Sequence, residues 1–331
     1  MPNPRDERMW SDGEIEVLAR AVLRAPSVHN IQPWALALPD LRAELSERTD
    51  LSLPEHDPTG RDRLISCGAA LENLVLAVRV LGWATEVEMS HGRGSLVAVV
   101  TPSGREQPSD GELHAYAAIS RRRSHRRPFA EIPIAPSLLA PVIEQLPHGV
   151  GCRVLRAGDE DLLSVLLEQA ARTIQNREGL QRELEEWTGE WRPDGVGDGL
   201  VRPGYDKASL PWAGLVRRTS LIPDARTLAR RLAVENVLIF WAKEDDRAGH
   251  VATGVAMQRS WLAAVDGGLA ASVLTQLLHE EAVRKRMTAE LNLPGHPQLI
   301  MRLGYPDGPV RHAARRRPGE IVWQPDDHRP F

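Results

Sequence analysis

The chain has 331 residues and a mass of 36.7 kDa, with 42% hydrophobic and 26% charged residues, which is typical of a folded globular protein and excludes global disorder. A formal net charge of −4 at pH 7 gives the chain no overall attraction for nucleic acid. The sequence has no uninterrupted apolar run of about 18 residues, so no membrane-spanning helix is predicted. Two distant cysteines, Cys67 and Cys152, exclude a disulfide framework and a cysteine-rich zinc site, so we expect a cytoplasmic protein without a bound metal.

The first hundred residues predict two helices and several short strands. Ser11 and Glu14 have the spacing of a capping box, and the helix that they begin should end at Ala25-Pro26, because proline disfavours helical geometry in the residue before it. The next segment holds two prolines and several short polar side chains, so we expect an ordered turn. The remaining predictions are strands at 35–38, 51–53 and 96–100 and a helix at 66–81.

Five arginines lie within the seven residues 121–127, after a predicted linker at 101–111 and a short predicted helix at 112–120. Charge runs usually form a solvated surface, but guanidinium groups with a serine hydroxyl between them also match the oxygen atoms of a phosphate. The residues alone leave both alternatives open. Further along we predict helices at 137–145, 161–188 and 252–266, and strands at 237–241 and 299–303.

Residues 189–212 form the longest irregular segment, because glycines and prolines follow one another closely there. Trp191, Tyr205 and Trp212 lie within the segment, and Trp187 precedes it. Long loops in compact proteins are either functional or disordered. The aromatic side chains can anchor this loop to the protein, so we expect it to be ordered and functional.

Two predicted helices far apart in the chain share one pattern. Residues 68–82, GAALENLVLAVRVLG, align without gaps with residues 254–268, GVAMQRSWLAAVDGG, and glycine begins and ends both segments. An apolar strand follows each helix later in the chain. Chance similarity between two amphipathic helices is one explanation. We favour an internal duplication, in which two copies pack like a dimer fused into one chain.

Two motifs resemble those of the nitroreductase superfamily. Residues 25–34, APSVHNIQPW, resemble its A-P-S-x-x-N-x-Q-P-W signature, and residues 122–126, RRSHR, resemble its R-R-S-x-R phosphate motif. Ordinary members carry the two motifs in the opposite order within one unit. The reversed order and the repeated helix are similar to the single-chain, two-copy Acg-type branch of that superfamily.

The resemblance implies an α+β nitroreductase-like fold, in which antiparallel sheets are flanked by helices and two fused units form a pseudo-dimer. The first unit would span residues 1–108 and carry the APSVHNIQPW motif; the second would span 109–331 and carry the arginine–serine motif and the 189–212 loop. In this family FMN binds between two units, and each unit contributes one motif. Because each motif occurs once here, we predict one FMN per chain, in a monomer or a weak homo-oligomer.

The resemblance also implies which residues hold the flavin, which itself carries the chemistry, so no catalytic side chain is predicted. The arginine–serine motif and two basic residues near the C-terminus would bind the phosphate; Arg316 is the alternative to Arg315 and Arg317 in the other register. The ring would contact the first motif and residues 274–276, where the Pro-x-Glu-Gly of ordinary members is absent. The predicted cofactor-binding residues are Pro26, Ser27, Val28, Asn30, Gln32, Arg122, Arg123, Ser124, Arg126, Leu274, Thr275, Gln276, Arg315 and Arg317.

Three functions are compatible with these features. The first is an FMN oxidoreductase that uses NADH or NADPH to reduce nitro compounds or quinones. The second is storage of FMN with little turnover, in which the 189–212 loop covers the ring and excludes the nicotinamide. The third is binding of nucleic acid or another anionic partner through residues 121–127, which overall acidity and the lack of interleaved aromatic residues disfavour. We therefore expect small-molecule ligands, no nucleic acid and no membrane, and the sequence leaves turnover and storage open.

Overall fold

The computed structural model describes residues 9–92, 94–144, 146–187, 215–308 and 313–323, so the predicted loop at 189–212 lies outside the described residues. In the first part of the chain the elements are α1 (Asp12–Leu23), β1 (Trp34–Ala37), β2 (Ala43–Glu47), α2 (Arg61–Val80), β3 (Trp83–Met89), β4 (Leu96–Arg105) and α3 (Asp110–Arg121). The later elements are β5 (Phe129–Ala130), α4 (Pro136–Glu144), β6 (Val150–Val154), α5 (Asp159–Asn176), α6 (Glu178–Trp187), α7 (Ala225–Leu232), β7 (Asn236–Ala242), α8 (Arg247–Asp266), β8 (Ala270–Leu274), α9 (Glu281–Glu290), β9 (His296–Pro306), α10 (Pro318–Ile321) and β10 (Val322–Trp323).

The first sheet has five strands in the order β10-β1-β2-β4-β3. Strands β1 to β4 pair antiparallel with their neighbours, whereas β10 adds in parallel and places Val322 beside Leu36. The last strand of the described chain therefore completes the sheet that its first hundred residues form. This return brings residues just before β10 next to the APSVHNIQPW turn that precedes β1.

The second sheet is formed by later strands in the order β5-β9-β7-β6, with β8 also paired to β9. All of these pairings are antiparallel. Helices cover both sheets, so the predicted α+β class with antiparallel sheets and flanking helices is confirmed. None of the helices in the described ranges is both long and apolar enough to cross a membrane.

Helices α2 and α8 pack against each other at the centre of the molecule and belong to the main hydrophobic core. Each has 20 residues, and since they begin at 61 and 247 and end at 80 and 266, one offset of 186 positions relates them. The same offset aligns the two glycine-bounded segments in the sequence. Both helices are buried over most of their length, as expected for helices that are covered on every side.

The contacts between these two helices are reciprocal. A Cβ placed on Gly68 would lie 2.0 Å from the carbonyl oxygen of Val251, and a Cβ placed on Gly254 would lie 2.0 Å from that of Ile65. Ile65 and Val251 are counterparts at the offset of 186 positions, as are the two glycines. A two-fold arrangement produces this exchange, in which residue i contacts j and the counterpart of j contacts the counterpart of i.

The polar pairs between the helices exchange in the same way. Asn73 Oδ1 accepts a hydrogen bond from Gln258 Nε2 at 2.7 Å, and Glu72 pairs with Arg259 at 2.9 Å. The offset relates Glu72 to Gln258 and Asn73 to Arg259. Each pair therefore occupies the position of the other at this offset, although the residue types differ.

Several predicted elements differ from the structure. The strand predicted at 51–53 is wrong: Leu53 is buried, but the backbone is irregular there and the strand lies at Ala43–Glu47. The single helix predicted at 161–188 is two helices, because Arg177 adopts extended geometry between α5 and α6. The sequence did not predict strands β3, β6 and β8 or helices α7 and α9: β8 is short although mostly apolar, and the others have few or irregularly spaced apolar residues.

Candidate functional site

The APSVHNIQPW segment forms a tight turn with unusual backbone geometry. His29, Asn30 and Gln32 have φ angles of 46°, 60° and 51°, in the left-handed region that non-glycine residues seldom adopt. The turn is stabilised from within, because the Gln32 backbone N–H donates to Ser27 Oγ at 3.0 Å and Gln32 Nε2 donates to the Asn30 carbonyl at 3.2 Å. Such strain persists only where the surroundings determine it, and it is common at ligand sites.

The segment before α10 is bound to this turn. Asn30 Nδ2 donates to the Ala314 carbonyl at 2.9 Å, and Arg315 Nη1 donates to Asn30 Oδ1 at 2.8 Å. The Arg316 backbone N–H donates to Gln32 Oε1 at 3.0 Å. The two amides of the motif therefore fix the path of residues 313–316, across almost the whole length of the chain.

The turn, the C-terminal segment and the end of α3 enclose a cavity of about 540 Å³. Five arginines line it, together with the serine of the RRSHR motif. Asn30 and Arg122, which the sequence places in different motifs, thus border one cavity. The lining residues are Arg24, Pro26, Ser27, Asn30, Arg122, Arg123, Ser124, Arg126, Ala313 and Arg315.

Arg122 is the most buried arginine of this cavity, with only 3% of its surface exposed. Its Nη2 donates to the Arg24 carbonyl at 3.0 Å, and its guanidinium lies 4.6 Å from the centre of the Trp261 ring. Its Nε and Nη1 atoms are buried and have no hydrogen-bond partner among the described residues. Burial and the neighbouring arginines, Arg315 first among them, lower the pKa of Arg122 well below its usual value, so an anion here would be strongly stabilised.

A second, larger cleft of about 670 Å³ adjoins the arginine-lined cavity, since Pro26, Ser27, Ser124 and Arg126 border both. Side chains of both central helices line the larger cleft, together with residues at the end of β8. The lining residues are Pro26, Ser27, Val28, His29, Asp62, Ile65, Ser66, Ser124, Arg126, Leu215, Met257, Trp261, Ser272, Val273, Thr275 and Gln276.

His29 lines this cleft but is only 5% exposed, and its ring meets that of His56 edge to face with centroids 4.5 Å apart. His56 Nδ1 lies 3.1 Å from Glu183 Oε2, which also accepts the His56 backbone N–H at 2.9 Å. Burial, followed by the charges of His56 and Arg126, lowers the pKa of His29 well below its usual value, and Asp62 opposes this effect. His29 is therefore neutral near pH 7.

Most of the predicted site residues lie together at the two cavities, but three do not border them. Gln32 is fully buried and supports the turn, and Leu274 is fully buried in the second hydrophobic core. Arg317 is exposed, and its backbone N–H donates to Glu320 at the start of α10. Of the two C-terminal arginines predicted, it is Arg315 that reaches the arginine-lined cavity.

Several residues that line the two cavities were not predicted from the sequence, because no short motif contains them. Arg24 directly precedes the APSVHNIQPW segment, so its position in the chain was the one available signal. Asp62, Ser66, Met257 and Trp261 come from the central helices, and only the packing of α2 on α8 brings them together.

Sequence comparison decides the family. The family model described as "Nitroreductase family" matches residues 119–305, which is more than half of the chain. The chain belongs to the nitroreductase family. This confirms the resemblance inferred from the two motifs, including the similarity to Acg-type proteins.

Relatives of this nitroreductase-family chain occur in Mycobacterium tuberculosis H37Rv. "Putative NAD(P)H nitroreductase Rv3131" is 28% identical over 322 residues, covering 94% of this chain and 91% of the relative. "Putative NAD(P)H nitroreductase acg" is 27% identical over 312 residues, covering 90% and 91%. Among solved structures, the FMN-dependent nitroreductase NfnB of Mycobacterium smegmatis in complex with NADPH has a TM-score of 0.38 and 18% identity, covering 60% of this chain and 90% of that one.

Proposed function

We propose that this protein binds one FMN, with the phosphate in the arginine-lined cavity and the isoalloxazine ring in the adjoining cleft. The observation that carries the proposal is Arg122, a buried guanidinium whose Nε and Nη1 atoms have no partner in the described residues. A buried cation without an anion is strongly unfavourable, and a phosphate dianion would supply both the charge and the acceptors. The cleft beside it adjoins the arginine-lined cavity through Pro26, Ser27, Ser124 and Arg126, so the ring is proposed to lie there.

The donor set fits the chemical parts of FMN. Arg122, Arg123 and Arg126, with Ser124, supply charge-assisted and neutral donors for a phosphate, and Arg24 and Arg315 add to the positive potential. The cleft itself is more apolar, as Ile65, Met257 and Trp261 line it. When bound, the flavin supplies hydride exchange between a nicotinamide and an acceptor such as a nitro compound or a quinone.

We further propose that the chain consists of two fused units, residues 1–108 and 109–331, arranged as a pseudo-dimer. The equal lengths, the constant offset and the reciprocal contacts of α2 and α8 support this arrangement. The cavities described draw the APSVHNIQPW turn from the first unit and the RRSHR motif from the second. A single site per chain follows, because each motif is present once.

Two measurements test the function. The purified protein should be yellow and release FMN, and the apoprotein should bind one equivalent of FMN with quenching of flavin fluorescence. A colourless protein that binds no added FMN would refute the proposal.

Turnover is tested by mixing the holoprotein with excess NADPH or NADH without oxygen. Loss of the oxidised flavin absorbance within seconds, and its recovery on addition of a quinone or nitroaromatic, is the expected result, in line with the NAD(P)H nitroreductase names of the relatives. A holoprotein that keeps its absorbance for many minutes would identify a storage protein instead.

A further inference from the structure

A buried ion pair lies at the first turn of α2, beside the larger cleft. Arg61 Nε and Nη2 donate to Asp62 Oδ1 at 3.2 and 3.1 Å, and both side chains are at least 95% buried. Asp62 borders the cleft, whereas no motif or family resemblance draws attention to either residue. A buried ion pair is favourable only when its remaining donors and acceptors are satisfied.

Those remaining groups all contact one segment of the second half of the chain. Arg61 Nη1 donates to the Leu278 carbonyl at 2.6 Å, and Nη2 donates to the Thr275 carbonyl at 3.3 Å. Asp62 Oδ2 accepts hydrogen bonds from the Thr275 hydroxyl and from His279 Nε2, the latter at 3.2 Å. Two adjacent residues of α2 thus hold both ends of the segment 275–279.

The segment 275–279 follows β8 and borders the cleft through Thr275 and Gln276. Thr275 lies between β8 and a short 3₁₀ helix, and its carbonyl accepts the Leu278 backbone N–H at 2.8 Å. Its own N–H donates to the side chain of Gln276, at Oε1 and 3.3 Å. The side chains of Arg61 and Asp62 add to these local bonds and tie the segment to α2.

We propose that Arg61 and Asp62 are positioning residues, which hold Thr275 and Gln276 in place against the ring of the bound flavin. The identity of the ligand in this inference rests on the proposed function. The bonds from Arg61 and Asp62 to residues 275–279, which we call the Arg61–Asp62 clamp, are independent of that function. In this chain the Arg61–Asp62 clamp would replace the rigid Pro-x-Glu-Gly sequence that residues 274–276 lack. Thr275 and Gln276 touch the ligand, and Arg61 and Asp62 act through them.

The electrostatics favour a permanently charged clamp. Burial alone would raise the pKa of Asp62, and Asp57, at the same end of α2, opposes its ionisation too. His279, Arg61 and the Thr275 hydroxyl outweigh these effects, so the pKa of Asp62 lies below its usual range. The Asp62 carboxylate therefore stays ionised near neutral pH and accepts the Thr275 hydrogen bond there.

The chain contains a matched control for this clamp. Arg247, the counterpart of Arg61 at the offset of 186 positions, begins α8 and pairs with the buried Glu47 of the first sheet. Its Nη2 donates to the Leu96 carbonyl at 3.0 Å. This second clamp also joins the two halves of the chain, but its residues border neither of the two cavities described.

The test compares Asp62→Asn with Glu47→Gln, two substitutions that each remove a buried carboxylate paired with the arginine that begins a central helix; Glu47 also pairs with Arg63 at 2.7 Å. We expect both to lower the melting temperature. Asp62→Asn alone should change the visible circular dichroism and the midpoint potential of the bound flavin, and it should slow reduction by NADPH at least tenfold, because small displacements at a reacting centre have large effects on rate. Equal flavin properties in the two variants would overturn the proposal.

Thr275 gives a second test by conservative rescue. Thr275→Ser keeps the hydroxyl that donates to Asp62 and should resemble the wild type, whereas Thr275→Val removes it and should reproduce the flavin changes of Asp62→Asn. The double variant Asp62→Asn/Thr275→Val should be no worse than Asp62→Asn alone, because Asp62→Asn already disrupts the bond that Thr275→Val removes. Additive effects would contradict coupling through this bond.

A flavin-free measurement separates the clamp from the proposed function. In the apoprotein, amide hydrogen exchange in residues 275–279 should be at least tenfold faster in Asp62→Asn than in the wild type and unchanged in Glu47→Gln. If the wild type binds no FMN but this difference is found, the proposed function fails and the clamp stands. If the wild type binds FMN and exchange is unchanged in both variants, the clamp fails alone.

Discussion

At the scale of single residues, the site is defined by polar groups that are buried before any ligand arrives. Arg122 shows this best: a surface arginine would keep its water, but this one lies among four further arginines and under Trp261, with two of its donor atoms unsatisfied in the described structure. A bound anion would offset this unfavourable burial of charge, so a phosphate in the proposed site would be held tightly.

Arg122→Met should therefore have opposite effects on binding and stability. FMN affinity should fall by ~10-fold to ~100-fold, the equivalent of about 1.5–3 kcal/mol for a charge-assisted hydrogen bond. The apoprotein should become more stable in urea, because a buried unpaired charge is replaced by an apolar side chain of similar length. Arg121→Met is the control: Arg121 is exposed and pairs with Asp266, so neither quantity should change much. Lower apoprotein stability in Arg122→Met would contradict this account.

His29 makes stability depend on pH. Its pKa is lowered in the folded state, so below about pH 6.5 the unfolded chain binds a proton that the folded protein does not, and stability falls as the pH falls. The effect is at most about 1.4 kcal/mol per pH unit.

His29→Asn tests this, because asparagine tolerates the left-handed backbone at this position and does not titrate. Urea unfolding of the two apoproteins at pH 7.5 and 5.5 should show the variant gaining stability relative to the wild type at the lower pH. A difference that is the same at both pH values would show that His29 does not titrate as inferred. Asp57 has the opposite effect on the pH dependence of stability, because burial and Asp62 raise its pKa to about 6. Both proteins contain Asp57, so its effect cancels in the comparison.

At the scale of elements, the crossing of α2 and α8 determines how closely the two halves approach. The helices meet through glycines because a larger side chain at either position would collide with the backbone of the partner helix. This close contact brings Ile65 and Ser66 to the same cleft as Met257 and Trp261. The packing of these two helices therefore contributes to the shape of the cleft.

Gly68→Ala and Gly254→Ala should each reduce stability by about 3 kcal/mol, at the upper end of the range for overpacking a core, because the added Cβ meets backbone atoms rather than a flexible side chain. Gly111→Ala in α3 is the control, since nothing lies within 4 Å of a Cβ placed there, and alanine is the better helix former. Urea unfolding measures all three variants. Equal small effects would show that the helices separate easily.

At the scale of the whole molecule, the two central helices contact each other reciprocally, as the equivalent helices of a symmetric dimer do. Arg61 and Arg247 illustrate the limits of this symmetry. Both begin a central helix and donate to backbone carbonyls in the other half of the chain, but Arg61 pairs with Asp62, which borders the cleft, whereas Arg247 pairs with Glu47, which does not. The packing of the two central helices is thus symmetric, while the groups around Arg61 and Arg247 at their first turns differ chemically.

Titration of the apoprotein with FMN should accordingly end at one equivalent per chain, and sedimentation should give the same mass with and without FMN, because both motifs of the site come from one polypeptide. A stoichiometry of two would mean that the place beside Arg247 also binds flavin. An apoprotein monomer that dimerises on binding would mean that the site is completed by a second chain.

Some of these features were determined by local sequence alone. The capping box at Ser11 and Glu14 forms as predicted, because a side-chain cap depends on residues three positions apart. The pattern of apolar residues also located both central helices and their C-terminal ends to within one residue, but it missed the first five residues of each, because 66–81 and 252–266 were predicted where the helices are Arg61–Val80 and Arg247–Asp266. The separation of the two motifs follows from short, specific strings. In the same way the family could be inferred from APSVHNIQPW and RRSHR, since each string contains its own chemistry.

Tertiary structure decided the rest, because those contacts join residues that no local pattern relates. The strand at Ala43–Glu47 exists because β1 and β4 pair with it, and not because its residues are apolar. The choice of Arg315 over Arg317 depends on how Asn30 holds a segment 285 positions further along the chain. Asp62 entered the site only through the packing of α2 against the second half of the chain, where burial turns an ordinary ion pair into a clamp on the backbone at Thr275.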